Sequence, residues 1–469
     1  MGINDKKYKE RLLLVVMTTI FLTILIFITF SSRVLAQTRD NELEKELNLF
    51  KDVLVFVQKN FVDEEKTDVK KLIRGAMKGL LEALDDPYST YLTKEEVSDL
   101  EETTTGKFGG VGLYIFKVEK GIEVSQPIEG TPAFKVGIMA GDIIIAVEDE
   151  STLELSLYEV VKKLKGTPGT PVKITVLRGE SNVFDVKITR ALIENPTVKK
   201  DMIPGNIGYL KILEFSPLTI KRVKEAIEYF KENKYSSLII DLRNNPGGLL
   251  PSTIDVADLF FPPGKVIVST KYRNPFDDNI HKAKDNAIVP QDIPIVVLID
   301  KYTASASEIL TGALKDTERA YVIGETSYGK GSVQQIHYVE DAVIKLSVAK
   351  YYTPDNISIH GIGIKPDKSV EEEKLSEEEE KSLEELIDNK RIDKFVEQNA
   401  KIDEKKTKEF INKLQEDGVI VKERYIRKMI KNAVNRKNNE YPIYDLDYDI
   451  AIKEAVSYIK DQQENAGSK

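Results

Sequence analysis

The chain contains no cysteine and no tryptophan, and only three histidines among its 469 residues. Without cysteine there is no disulfide, no thiolate nucleophile and no thiolate metal site. His281, His337 and His360 stand in no recognisable triad context, so a Ser-His-Asp hydrolase has little to be built from. No Gly-x-Ser-x-Gly elbow motif and no His-Glu-x-x-His helix occurs either, which removes the main support for hydrolase-elbow and zinc-protease chemistry. Positive charge is also in deficit. The formal net charge is -9 with no basic stripe, and a nucleic-acid footprint needs a concentrated basic face. Long apolar runs are missing with one exception, the uncharged segment Leu12–Phe30 of 19 residues.

That run follows Lys6, Lys7, Lys9 and Arg11, a basic cluster that favours a cytoplasmic amino end, and its length nearly spans a bilayer core. A single-pass anchor with everything after Ser31 outside the cytoplasm is expected. The alternative is a cleaved signal peptide, because Val34-Leu35-Ala36 has the small-residue spacing of a cleavage site. Either way the remainder is exported to the periplasm or cell surface.

With 41% hydrophobic and 31% charged residues over its whole length, the chain otherwise has the texture of a multidomain globular protein. Leu43, Leu47, Phe50, Leu54 and Val57 recur at helical spacing, so residues 38–104 read as a helical region, broken by a turn at Asp85-Asp86-Pro87. Over 105–191 the texture changes to short β-branched runs (Val111–Val118, Ile143–Val147, Val172–Leu177), with a helix at Leu157–Leu164. Over 192–369 strand and helix alternate: Gly208–Ile212, Ile220–Phe230, Leu238–Asp241, Ile254–Phe260, Ile295–Asp300, Ser305–Leu314. This rhythm predicts an α/β domain with a buried sheet. Residues 370–469 open with seven glutamates in the ten positions 371–380 and read as a charged helical appendage with little chemistry. There is no internal repeat.

Three loops carry residues suited to chemistry. Asp241-Leu242-Arg243-Asn244-Asn245-Pro246-Gly247-Gly248 leaves a buried strand through glycines whose free N–H groups suit an oxyanion, although an ordinary tight turn has the same composition. Ser305 joins a strand to a helix, where its hydroxyl and the Ala306 amide lie at the positive end of the helix. Ser305-x-x-Glu308 is equally a capping box. Gly324 through Gly329-Lys330-Gly331 approaches a phosphate-binding loop, but Gly331 replaces the magnesium-binding hydroxyl, and Val333–Ile336 reads as a strand where a helix is needed. Ser347-Val348-Ala349-Lys350 has Ser-x-x-Lys spacing inside an alternating run, and on a strand residues three apart face opposite sides. With histidine scarce, lysine is the leading candidate for a general base.

Taken in order from Asp85 to Asp367, these segments resemble the carboxyl-terminal processing peptidase family. The motifs are Leu84-Asp85-Asp86-Pro87-Tyr88-Ser89-Thr90-Tyr91-Leu92, Asn245-Pro246-Gly247-Gly248, Ala304-Ser305-Ala306-Ser307-Glu308-Ile309, Gly324-Glu325 through Gly329-Lys330-Gly331-x-Val333-Gln334, Tyr351-Tyr352-Thr353-Pro354 and Gly361-Ile362-Gly363-Ile364-Lys365-Pro366-Asp367. Asp355-Asn356-Ile357 departs from the family's usual Ser-Gly-Arg at that point.

The resemblance implies a serine-protease α/β core with an inserted PDZ domain, a transmembrane helix and helical arms at both ends. It makes Ser305 the nucleophile, Lys330 the general base and Gln334 the group that orients the lysine. Amides of Gly247 or Gly248, with Ala306, would hold the oxyanion, with no metal or cofactor. Phe108-Gly109-Gly110-Val111-Gly112-Leu113 resembles the family's carboxylate-binding loop, whose amides at Gly110, Val111, Gly112 and Leu113 would receive the terminus of a protein tail. The expected partners are protein substrates with accessible carboxyl-terminal tails, the membrane through the amino-terminal helix, and a second copy of the chain through its helical arms; nucleic acid is not among them. The competing class is a binding module in which a degenerate core only presents the PDZ domain, a reading that the intact Ser305, Lys330 and Gln334 oppose.

Overall fold

The computed structural model describes residues 41–93, 105–340, 342–371, 375–399, 401–438 and 440–467, with Met17 and Val97 standing alone. Leu12–Phe30 therefore lies outside the described residues apart from Met17. Among the described residues no helix is long and apolar enough to cross a membrane. The chain divides into two compact units, Met1–Tyr91 and Leu92–Lys469.

In the first unit, residues 41–60 and Val69–Glu82 form helices. The second is capped by the Asp68 carboxylate, which accepts the Lys71 N–H at 2.8 Å. Leu43, Leu47, Phe50 and Phe56 are exposed on the first helix.

In the second unit the PDZ-sized region is an antiparallel sheet in the order Leu113–Val118, Gly121–Pro127, Ile143–Val147, Pro171–Arg178, Asn182–Thr189. The helix Leu157–Leu164 begins at a reciprocal box between Ser156 and Glu159, and it buries Val160 and Leu164 with Ile122, Ile144, Ile174 and Ile188. A separate ribbon pairs Lys107–Gly110 with Ala191–Glu194, so the region's entry and exit strands run side by side.

The α/β part is built on β1 (Val198–Ile203), β2 (Ile207–Ile212), β3 (Ser237–Asp241), β4 (Val266–Tyr272), β5 (Asn279–Lys282), β6 (Ile295–Ile299), β7 (Tyr321–Gly324), β8 (Ser332–Val339), β9 (Ala342–Tyr352) and β10 (Lys368–Ser369). Its helices are α1 (Thr219–Glu232), α2 (Leu250–Asp258) and α3 (Ala306–Asp316). The main sheet runs β1-β2-β3-β6-β7-β10, with β1 antiparallel to β2 and every other pair parallel. All five residues of β3 and of β6 are buried, as expected of parallel strands covered on both faces. Alternation then decides the faces. Leu238, Ile240 and Val297 enter the core under α1, α2 and α3, whereas Ile239, Val296 and Leu298 enter a second core on the opposite face. A smaller sheet joins β8 to β9 as a hairpin, β9 to β4, and β4 to β5.

The carboxyl-terminal region is a correction to the sequence reading. Helices α4 (Glu377–Asp388), α5 (Arg391–Gln398), α6 (Glu404–Glu416) and α7 (Glu423–Lys437) share a core of their own around Leu386, Val396, Leu414 and Ile426. The last helix, α8 (Ile450–Gly467), is no appendage. Its Ala451, Ile452, Ala455 and Ile459 are buried with Tyr209, Ile239 and Leu298, and Tyr321 stacks on Tyr458 at 4.1 Å between ring centroids. That the segment is helical was legible in the sequence; which surface it covers is decided by the topology of the sheet.

Candidate active site

Ser305 lies between β6 and α3 with φ +55° and is 8% exposed. Residues with a side chain seldom adopt such a φ. The strand-turn-helix bend thus has the form of a nucleophile elbow without its glycine motif. Residues 300–304 hold the bend. The Asp300 N–H donates to Thr303 Oγ1 at 2.9 Å, and Thr303 Oγ1 donates to the Leu242 carbonyl at 2.9 Å. Ala304 N–H donates to the Asn245 carbonyl at 3.0 Å, so the serine loop and the glycine turn share hydrogen bonds.

That turn follows β3 directly. Asn244 takes φ +59° and gives its N–H to the Asp300 carboxylate at 3.0 and 3.1 Å. Asn245 is fully buried, donating to the Ile212 carbonyl at 2.9 Å and accepting the Gly247 N–H at 2.9 Å. Gly247, at φ +106°, lies so close to the serine that a Cβ there would sit 2.8 Å from both Ser305 Cβ and the Ala306 nitrogen. Its N–H is already engaged by Asn245. Gly248 forms a bridge with Phe215, and a Cβ on it would meet the Phe215 carbonyl at 2.1 Å. Both glycines are therefore demanded by close approach as well as by backbone angle.

Lys330 occupies the loop between β7 and β8. No helix follows it, in agreement with the rejection of a nucleotide loop. The loop is pinned by residues 360–364: the Gly361 N–H donates to the Gly329 carbonyl at 2.8 Å and Ser327 N–H to that of Ile364 at 3.1 Å. A Cβ on Gly331 would lie 2.2 Å from the His360 nitrogen. Gln334, on β8, donates through Nε2 to the Ser332 carbonyl at 3.0 Å and to the hydroxyls of Ser332 at 2.8 Å and Ser347 at 3.2 Å. The Ser347/Lys350 pair lies on β9, where the alternating run placed it.

The residue that sequence reasoning undervalued is Glu308. It is wholly buried on α3, and its carboxylate accepts hydrogen bonds from two loops. Oε2 takes the N–H of Ser305 at 2.7 Å and of Lys330 at 2.9 Å. Oε1 takes the N–H of Gly329 and the hydroxyl of Ser327, both at 2.6 Å. The Ser-x-x-Glu spacing was legible as a cap, but the donors Ser327, Gly329 and Lys330 from the lysine loop were not. Burial pushes the Glu308 carboxyl above the usual range, against the pull of its hydrogen-bond donors.

A second buried carboxylate, Asp241, ends β3 and accepts the Tyr209 hydroxyl at 2.6 Å and two donors of the Arg243 guanidinium at 3.0 and 2.8 Å. Burial raises its pKa, but Arg243, Lys211 and Tyr209 outweigh burial and hold it below the ordinary aspartate range.

On the PDZ side, the carbonyls of Val111 and Gly112 accept the N–H groups of Ala133 at 2.9 Å and Ile128 at 3.0 Å. Gly112 is at φ +83°, packed on Thr131. Gly110 ends the entry strand, and Leu113 begins the next. Tyr114 follows this loop, and its hydroxyl is pushed up by burial and by the nearby Glu214, the neighbour of Phe215. Among the described residues no group of acidic and histidine side chains could hold a metal.

Residues 206–370 match peptidase family S41, residues 123–178 match a PDZ domain, and residues 29–96 match the activating protease CtpB N-terminal domain. A carboxy-terminal-processing protease of Bartonella bacilliformis is 39% identical over 363 residues, covering 75% of this chain and 82% of that protein. The carboxy-terminal processing protease CtpA of Bacillus subtilis is 35% identical over 342 residues, covering 73% and 72%. Among solved structures, a photosystem II D1 C-terminal processing protease aligns at 29% identity with a TM-score of 0.43, covering 69% of this chain and 92% of that one. The chain is a serine-type endopeptidase with a PDZ domain. It belongs to the carboxyl-terminal processing peptidases, peptidase family S41.

Proposed function

We propose that this peptidase cuts exported proteins near their carboxyl termini, with Ser305 as nucleophile and Lys330 as general base. The observation that carries the reading is the Glu308 carboxylate, whose Oε2 accepts the backbone N–H of both Ser305 and Lys330 and so fixes one catalytic loop to the other. Ser305 attacks the scissile carbonyl and passes its proton to the neutral Lys330 amine, which returns it to the leaving nitrogen. Gln334 orients the lysine through its carbonyl oxygen, since its amide nitrogen is committed to Ser332 and Ser347. Of the two glycine amides considered for the oxyanion, Gly248 joins Ala306 in this reading, because the Gly247 N–H is held by Asn245. The division into segments 1–37, 38–104, 105–191, 192–369 and 370–469 belongs to the same reading, as does self-association through the exposed apolar face of helix 41–60.

The loop Gly110–Leu113 is proposed to receive the substrate's terminal carboxylate. Support comes from the carbonyls of Val111 and Gly112 being occupied while, among the described residues, no backbone carbonyl accepts from their N–H groups. Peptides ending in a free apolar carboxyl terminus are therefore expected to bind and be cleaved several-fold better than the same peptides amidated. Equal affinity and equal cleavage of the two forms would rule out carboxylate capture.

Membrane anchoring by Leu12–Phe30, with the peptidase outside the cytoplasm, rests on the length of that run and its basic flank. The mature protein is expected to fractionate with membranes and to retain the segment. Amino-terminal sequencing checks this, and a mature chain beginning at Gln37 would make the segment a signal peptide instead.

A further inference from the structure

The turn that carries Asn245 to Gly248 begins at Arg243, and Arg243 is gripped from two sides. Asp241 holds it from the strand that precedes it. The second grip comes from Asp449, 206 residues further along, whose carboxylate takes Arg243 Nη1 at 3.0 Å and Nη2 at 2.8 Å. This is a two-pronged, charge-assisted pair. Asp449 is no mobile surface acid. Its Oδ1 also accepts the Ile452 N–H at 3.0 Å at the start of α8, and Ala451 and Ile452 are buried on the face of the sheet. The packing of α8 thus sets the position of a carboxylate, and that carboxylate sets the position of the guanidinium at the mouth of the glycine turn. Nη1 donates to Asp449, so losing that carboxylate leaves a largely covered donor that is relieved by moving Arg243. Asn244 and Asn245 follow directly, and the Asn245 carbonyl is bonded to both the Ala304 N–H and the Ser307 hydroxyl beside Ser305.

We infer that Asp449 is a positioning residue for the oxyanion turn, so that the carboxyl-terminal helix is part of the catalytic apparatus. This rests on the assignment of Ser305 and the glycine turn made above.

Asp449→Asn separates this role from helix capping, because asparagine caps a helix start as well as aspartate does but cannot form the charged fork. The test uses the exported chain at a temperature well below every variant's melting point. It measures kcat and KM on a peptide substrate, together with the rate at which a phosphonate labels the active serine. In Asp449→Asn, kcat and the labelling rate are expected to fall about tenfold while KM stays within about twofold. Asp449→Glu, which keeps the charge, is expected to recover most of the loss. A folded Asp449→Asn enzyme with wild-type kcat would overturn the inference, and so would an Asp449→Glu enzyme as slow as Asp449→Asn. Ser305→Ala, run in parallel, keeps the two readings apart: labelling that persists in it overturns the dyad, whatever Asp449 does.

Discussion

Replacing Lys330 by arginine is expected to lower kcat by at least about 10³-fold, as is replacing Ser305 by alanine, with neither change unfolding the protein. The reason is the chemistry of a dyad without histidine. A free lysine titrates near about 10.4, so a lysine base works only where its surroundings make the neutral amine accessible. A guanidinium keeps its proton at every accessible pH, and arginine preserves charge and reach while removing the base. Ser307 is the internal control. It is fully buried and its hydroxyl donates to the Asn245 carbonyl at 3.1 Å, so it cannot meet a substrate. Ser307→Ala should cost about 1 kcal/mol of stability, the net worth of one hydrogen bond, and retain substantial turnover. Peptide cleavage across a pH series, read beside thermal melting, checks all three variants. Substantial activity in Lys330→Arg, or loss in Ser307→Ala with Ser305→Ala still active, would sink the assignment.

Glu308→Gln should lower kcat by roughly 10²-fold, equivalent to about 2.7 kcal/mol of transition-state stabilisation, although glutamine has nearly the same shape. The two carboxylate oxygens each accept two donors, one pair from Gly329 and Ser327 and the other from Ser305 and Lys330. If Oε2 becomes an NH2 group, the N–H groups of Ser305 and Lys330 both face a donor; if Oε1 does, the Gly329 N–H faces one, while the Ser327 hydroxyl can turn to accept. Each buried group left unpaired costs about 1–3 kcal/mol, and the loops relieve this by separating. The melting temperature should fall too, so turnover must be measured where the variant is fully folded. A folded Glu308→Gln enzyme with wild-type kcat and normal phosphonate labelling would show that the loops hold their alignment without the carboxylate.

Arg243 shows why part of the site was hidden from a reading of the chain. The motif Asp241-Leu242-Arg243-Asn244-Asn245-Pro246-Gly247-Gly248 announced a glycine turn after a buried strand, and the turn is there. It did not announce that the Gly247 amide is held by Asn245, nor that Arg243 is clamped by Asp449. Glu308 is the same case: Ser305-x-x-Glu308 is a helix start by any local rule, yet most of its hydrogen bonds come from the lysine loop, from Ser327, Gly329 and Lys330. Gln334, by contrast, falls in Val333–Ile336, which reads as a strand, and it lies on one.

What the amino-acid order determined by itself is what short-range physics controls. β-branched runs became strands, Ser156 and Glu159 started a helix, and glycines at 247, 248 and 331 marked places where no side chain fits. The absence of cysteine and the scarcity of histidine left lysine the leading candidate for a general base before any fold was considered. Tertiary structure decided which buried polar groups meet. A hydrogen bond from Ser305 or Lys330 needs an acceptor within about 3 Å, and which acceptor arrives depends on strand order and helix packing across the whole unit. Periodicity cannot carry that information, because it specifies which face of α8 is apolar and not that the face covers Tyr209 and brings Asp449 to Arg243.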